Sequence, residues 1–76
     1  MAVSVRLVRA GNPGWHIHDV TGGWVAVRRS PVPRGSVLSN VRCGATLDEL
    51  SENLAEETRI ETTAARRLRA FSRTAE

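Results

Sequence analysis

The sequence predicts an α+β domain: a three- or four-stranded antiparallel sheet, followed by one packing helix and a helical C-terminal tail. Three observations predict it. Residues 1–43 read as short segments of alternating polarity separated by Gly- and Pro-containing turns. At Thr46 the pattern changes from period two to helical spacing. Strands first and helix second exclude a sheet built from alternating parallel units.

The elements follow in order. In residues 2–9, Val3, Val5 and Leu7 alternate with Ser4 and Arg6, which predicts a half-buried strand. Ala10-Gly11-Asn12-Pro13-Gly14 is a turn. Residues 15–20 form a second strand, with Trp15 and Ile17 on one face and His16 and His18 on the other. Thr21-Gly22-Gly23 makes a tight hairpin, and residues 24–29 form the next strand. Ser30-Pro31-Val32-Pro33-Arg34-Gly35-Ser36 is a loop, because two prolines withdraw two ladder donors. Residues 37–43 are a candidate fourth strand, with Val37, Val41 and Cys43 on one face.

The helix starts at Leu47, with Thr46 and Glu49 as a capping box. Leu47, Leu50 and Leu54 make a stripe that faces the sheet. A second stripe, Ile60, Ala64, Leu68 and Phe71, is rotated from the first by about 70–80° at 100° per residue. Thr58, Thr62 and Thr63 lie between them, so the expectation is a helix of about a dozen residues, a break, and a second helical segment. Residues 1–58 then make a β-meander with its helix, and residues 59–76 a basic amphipathic tail of the same domain.

A chain of 76 residues makes one domain, and at this size about 60% of the unfolded surface is buried on folding. Such domains often gain stability from a partner. With a single cysteine, Cys43, no internal disulfide can form, which agrees with a reducing cytoplasm. No apolar run approaches the roughly 20 residues of a membrane span, and residues 1–6 lack a signal-peptide core. All basic residues are Arg, a usage that GC-rich coding explains. The net charge of +3 is unevenly spread: residues 1–45 carry +5, residues 46–61 carry −5 and residues 62–76 carry +3. This excludes a uniformly basic nucleic-acid binder.

The candidate chemistry is sparse. His16 and His18 on one side of a strand, with Cys43 or Asp19, are potential metal ligands, but the pair has no firm third member. Cys43 beside Arg42 has no base or orienting partner, so it reads as a small buried hydrophobe. Trp15 and Trp24 read as core. No catalytic residues, metal or cofactor are assigned, no small-molecule substrate is expected, and the chain does not read as an enzyme. The expected binding surface is the acidic helix face, Asp48, Glu49, Glu52 and Glu56, together with Ile60, Leu68 and Phe71 on the tail. The partner is a protein or a second copy, a dimer first. The alternative is nucleic-acid binding through Arg28, Arg29, Arg34, Arg66 and Arg69.

Two stretches carry a family resemblance. Gly22-Gly23-Trp24-Val25-Ala26-Val27, a Pro- and Gly-containing loop, and Gly44-Ala45-Thr46-Leu47-Asp48-Glu49-Leu50-Ser51-Glu52-Asn53 resemble the HicB-like antitoxin domain over about residues 15–58. The loop sequence, the N-terminal strand and the lack of a separate DNA-binding domain depart from that pattern. The Thr-Leu-Asp-Glu-Leu helix start is also similar to that of small actinobacterial proteins. The HicB-like resemblance implies an antitoxin that covers the RNA-binding surface of a small basic ribonuclease, a partner to which the acidic helix is complementary.

Overall fold

The computed structural model describes residues 4–74, with side chains through residue 70. Helix α1 (Val5–Gly11) leads into strands β1 (Trp15–Val20), β2 (Gly23–Arg28) and β3 (Val41–Gly44), and helix α2 (Leu47–Thr74) ends the fold. The strands form one antiparallel sheet in the order β1-β2-β3. The α+β class and the strand-then-helix order are therefore as expected.

The first segment differs from expectation: residues 5–11 are helical, not a strand. Ser4 is the N-cap, its side chain accepting from the Arg6 amide, and the Asn12 side chain donates to the Val8 carbonyl at 2.8 Å at the other end. The alternation of Val3, Val5 and Leu7 misleads. The spacing that matters is Val5 to Val8, one helical turn, which turns both into the core and leaves Leu7 69% exposed. The fourth predicted strand is present but short, because residues 36–40 are irregular and the ladder begins only at Val41.

The core lies between one face of the sheet and the two helices. Val8, Trp15, Ile17, Ala26, Leu50 and Leu54 are buried there, with Val5, Trp24 and Leu47 packed around them. Two small residues let α2 come close. Ala26 is fully buried at the centre of β2, and a Cβ on Gly44 would lie 2.5 Å from the Leu50 amide nitrogen. The hairpin between β1 and β2 turns on Gly22, whose φ of 84° suits glycine alone. The opposite face of the sheet carries no helix among the described residues. By register it presents His16, Val27 and Val41 in one row and His18, Val25 and Cys43 in the next. Cys43 is exposed there, not a buried hydrophobe as expected.

Helix α2 is continuous through the segment where a break was expected. Its 28 residues span about 42 Å at 1.5 Å per residue. The threonines are accommodated by bonding back along the helix: Thr58 donates to the Leu54 carbonyl at 3.0 Å and Thr62 to the Thr58 carbonyl at 2.9 Å. At the true N-terminus the Thr46 hydroxyl accepts from the Glu49 amide at 3.1 Å, while the reciprocal bond of the capping box is not formed.

Candidate functional site: the two faces of helix α2

A line of residues spaced alternately three and four apart runs along α2: Leu47, Leu50, Leu54, Glu57, Glu61, Ala64 and Leu68; Leu50, Leu54 and Glu57 are buried against the sheet, while Leu68 at the far end is exposed. Two glutamates occupy positions where apolar residues would be expected. Glu57 is 1% exposed. Its carboxylate accepts from Arg28 Nη2 at 2.5 Å, the Ser39 amide at 2.8 Å, and Arg42 Nη2 and Nε at 2.8 and 3.2 Å. Glu61 lies 3.6 Å from Arg28 Nη1.

This cluster arises from strand alternation. Arg28 and Arg42 flank Ala26 on the helix-covered side of the sheet, so both guanidinium groups point under α2. Without an anion they would be buried cations without a partner, a large desolvation penalty. The Arg28 guanidinium also stacks 4.5 Å from the centre of the Trp15 ring and donates through Nε to the Ser39 carbonyl at 3.0 Å. Burial alone pushes the Glu57 carboxyl up, but the Arg42 hydrogen bonds, the Ser39 amide, the Arg42 charge and the Arg28 hydrogen bond outweigh it. Its pKa is held below the ordinary 4.5. The cluster also ties down the long connection between β2 and β3. Ser39 and Asn40 are held by Arg28 and Glu57, and Asn40 clamps Val32 through bonds of 2.7 and 3.1 Å.

The outer face of α2 is different. Asp48, Glu49, Glu52 and Glu56 are all exposed along it. Beyond Glu61 the described sheet makes no further ion pair with the helix, and Leu68 is 69% exposed. At the junction lies a groove of about 520 Å3, lined by Glu56, Arg59, Ile60, Thr63, Ala64 and Arg67 of the helix and by Val37 of the connection. Ile60 and Ala64 are half-buried in it, and Val37 is 72% exposed. Of the residues expected at a partner surface, Glu56 and Ile60 meet in this groove, with Glu49 and Glu52 further up the helix and Leu68 further down. The side chain of Phe71 lies outside the described residues.

The residues of the alternative nucleic-acid surface are not brought together. Arg28 is committed to Glu57 beneath the helix, whereas Arg29 just past β2, Arg34 on the connection, and Arg66 and Arg69 one turn apart on α2 are exposed. No three His, Cys, Asp or Glu side chains among the described residues are grouped to hold a metal ion. Among the described residues no helix is long and apolar enough to cross a membrane. Sequence reasoning missed Glu57 as a structural centre, and Val37 and Arg67 as parts of the groove. The available signal for Glu57 was its place in the three-four spacing of the leucines.

No family model, curated protein or solved structure matches this chain.

Proposed function

We propose that the chain is a protein-binding module that docks through the groove on α2, with a second copy of itself as the partner. The observation that carries this reading is the groove's polarity. It carries Glu56, exposed and paired with Arg59 of its own chain, at one end, apolar Ile60 and Ala64 in the middle, and Arg67 at the other end. Such a surface complements itself when reversed. A two-fold axis crossing α2 between Glu61 and Thr62 sets Glu56 of one copy opposite Arg67 of the other, and Ile60 opposite Thr63. The same reversal lays the −5 segment of each helix along the +3 segment of its partner, which favours the antiparallel arrangement and opposes the parallel one. The exposed Leu68 and Val37 supply apolar area next to the charges.

A second reading has one observation in its favour: the unbroken exposed row of Asp48, Glu49, Glu52 and Glu56, which suits a basic protein. The antitoxin-like role implied by the HicB-like resemblance, in a cytoplasmic setting, belongs to this reading. Sedimentation of the purified chain separates the two. A concentration-dependent dimer that Ile60→Ser abolishes, with the strand and helix signals retained, supports the self-pairing module. A strict monomer moves the weight to a basic partner, to be sought by capture under conditions where nucleic acid has been digested.

A further inference from the structure

A second cleft, lined by none of the α2 groove's residues, gathers two arginines and two histidines and no carboxylate. It has a volume of about 270 Å3 and is lined by Arg9, Trp15, His16, Ile17, His18 and Arg29. Its construction follows from the edge position of β1. Arg9, in the last turn of α1, reaches across that edge and donates through Nη2 to the Ile17 carbonyl at 3.1 Å. This fixes the guanidinium beside the strand and leaves its other N–H groups without bonds to described residues. His16 and His18 project from the open face of the sheet, with ring centres 6.2 Å apart and planes 19° from parallel. The Arg29 amide bonds the Gly14 carbonyl at 2.9 Å, which extends the ladder one step and puts the Arg29 side chain on the same face as Val27 and His16.

We propose that this cleft binds a phosphate-type oxyanion, held by Arg9 and Arg29 and by His16 and His18 in their protonated form. Guanidinium groups present paired donors that match the edges of a tetrahedral oxyanion. An anion bound beside an imidazole favours the protonated ring. Anion binding and proton uptake are therefore linked. The groups facing the histidines are Arg9 from α1, Arg29 beyond the end of β2, and Cys43 on β3, one strand past Val25. Asp19, the carboxylate on β1, alternates to the helix-covered side beside Trp24, and α2 lies across that same side. A metal cation is the other ligand that paired histidines suit, but here it would meet two arginines and no third ligand among the described residues. The volume admits one phosphate-sized group with a few attached atoms, so the ligand is a free oxyanion or a small phosphate ester.

The test is a residue-resolved NMR titration of the full chain with sodium sulfate at constant ionic strength, at about pH 5.5 and about pH 8, which bracket the ordinary imidazole range. Sulfate keeps its charge over that range, so any pH dependence belongs to the protein. The expected result is saturable shifts confined to residues 9, 15–18 and 29, with affinity about tenfold or more higher at the lower pH. Arg29→Gln, an exposed position, weakens binding about tenfold. The double variant His16→Asn with His18→Asn removes the pH dependence while Arg29 retains weak binding. Tighter binding of ribose 5-phosphate than of inorganic phosphate identifies a phosphate ester as the ligand, and equal binding identifies the free ion; both support the proposal. Shifts that chloride reproduces, or wild-type affinity in Arg29→Gln, mean an adventitious ion only and overturn it. Shifts with a single-stranded oligonucleotide that spread to Arg66 and Arg69 and exceed those of sulfate overturn it in favour of nucleic acid.

Discussion

Replacing Glu57 removes the one anion beneath α2 that is in contact with both Arg28 and Arg42. The structure sets the size of the effect. Glu57 is 1% exposed and Arg28 10%, so neither group is well solvated once the other is removed. Taking away one partner of such a buried pair costs about 3–5 kcal/mol, because the remaining guanidinium is left without a full countercharge. A chain of 76 residues has a total stability of about 4–11 kcal/mol. Glu57→Ala therefore brings the domain to the edge of unfolding. Glu57→Gln is the informative variant: it keeps the shape and one acceptor oxygen for the Ser39 amide, loses the charge, and costs about 2–3 kcal/mol. Glu61→Gln is the internal control. Glu61 is 54% exposed and lies 3.6 Å from Arg28, so its loss costs about 0–1 kcal/mol. The assay is urea unfolding followed by circular dichroism, with the slope and the midpoint both fitted. A Glu57→Gln variant within about 0.5 kcal/mol of the wild type at neutral pH would show that the buried cluster does not stabilise the fold, since surface substitutions behave that way.

Four further outcomes follow from the same structure. Because Glu57 titrates below its ordinary 4.5 in the folded chain, its stabilisation is present above that value and is lost as the pH falls through the lower folded value; acid titration of stability should show this loss in the wild type and not in Glu57→Gln. Gly44→Ala puts a Cβ 2.5 Å from the Leu50 amide nitrogen, and as both sides are backbone the cost is about 1–3 kcal/mol in urea unfolding. Thr46→Ala removes the acceptor for the Glu49 amide and lowers stability by about 1 kcal/mol, seen as a drop of about 4–8 °C in Tm. Backbone chemical shifts of residues 58–63 should be uniformly helical, and a run of coil values there would contradict the single α2.

Much of this fold can be read in the sequence, and the failures have physical causes. Gly22 and the alternation around Trp15 and Ile17 specify the hairpin, and Thr46 starts the helix where it is observed. The N-terminal helix is hidden because Val3, Val5, Leu7 and the polar residues between them alternate over just the length of a strand. The Ser4 cap and the Val5–Val8 spacing decide otherwise. The apparent break in α2 has a different origin. Searching for apolar residues alone skips Glu57 and Glu61, so the stripe seems to jump sideways to Ile60. With the glutamates included the three-four spacing continues from Leu47 to Leu68, drifting only about 20° per heptad. A carboxylate counts as an inner-face residue only once Arg28 and Arg42 are known to lie on the covered side of the sheet, which depends on strand register. The groove on α2 was half legible: Glu56 and Ile60 stand out on the helix, but Val37 joins them only through the fold of the β2–β3 connection.

The proposed reversed pairing of α2 with a second copy is tested most directly by sedimentation equilibrium on the wild type and a charge-reversal series. The expected wild-type species has twice the 8.3 kDa chain mass. Glu56→Arg and Arg67→Glu each shift it to the single-chain mass by setting like charges opposite, and the double variant, which restores opposite charges across the two-fold, recovers the dimer. A wild type of single-chain mass at all concentrations, or single variants that dimerise as well as the wild type, would contradict it.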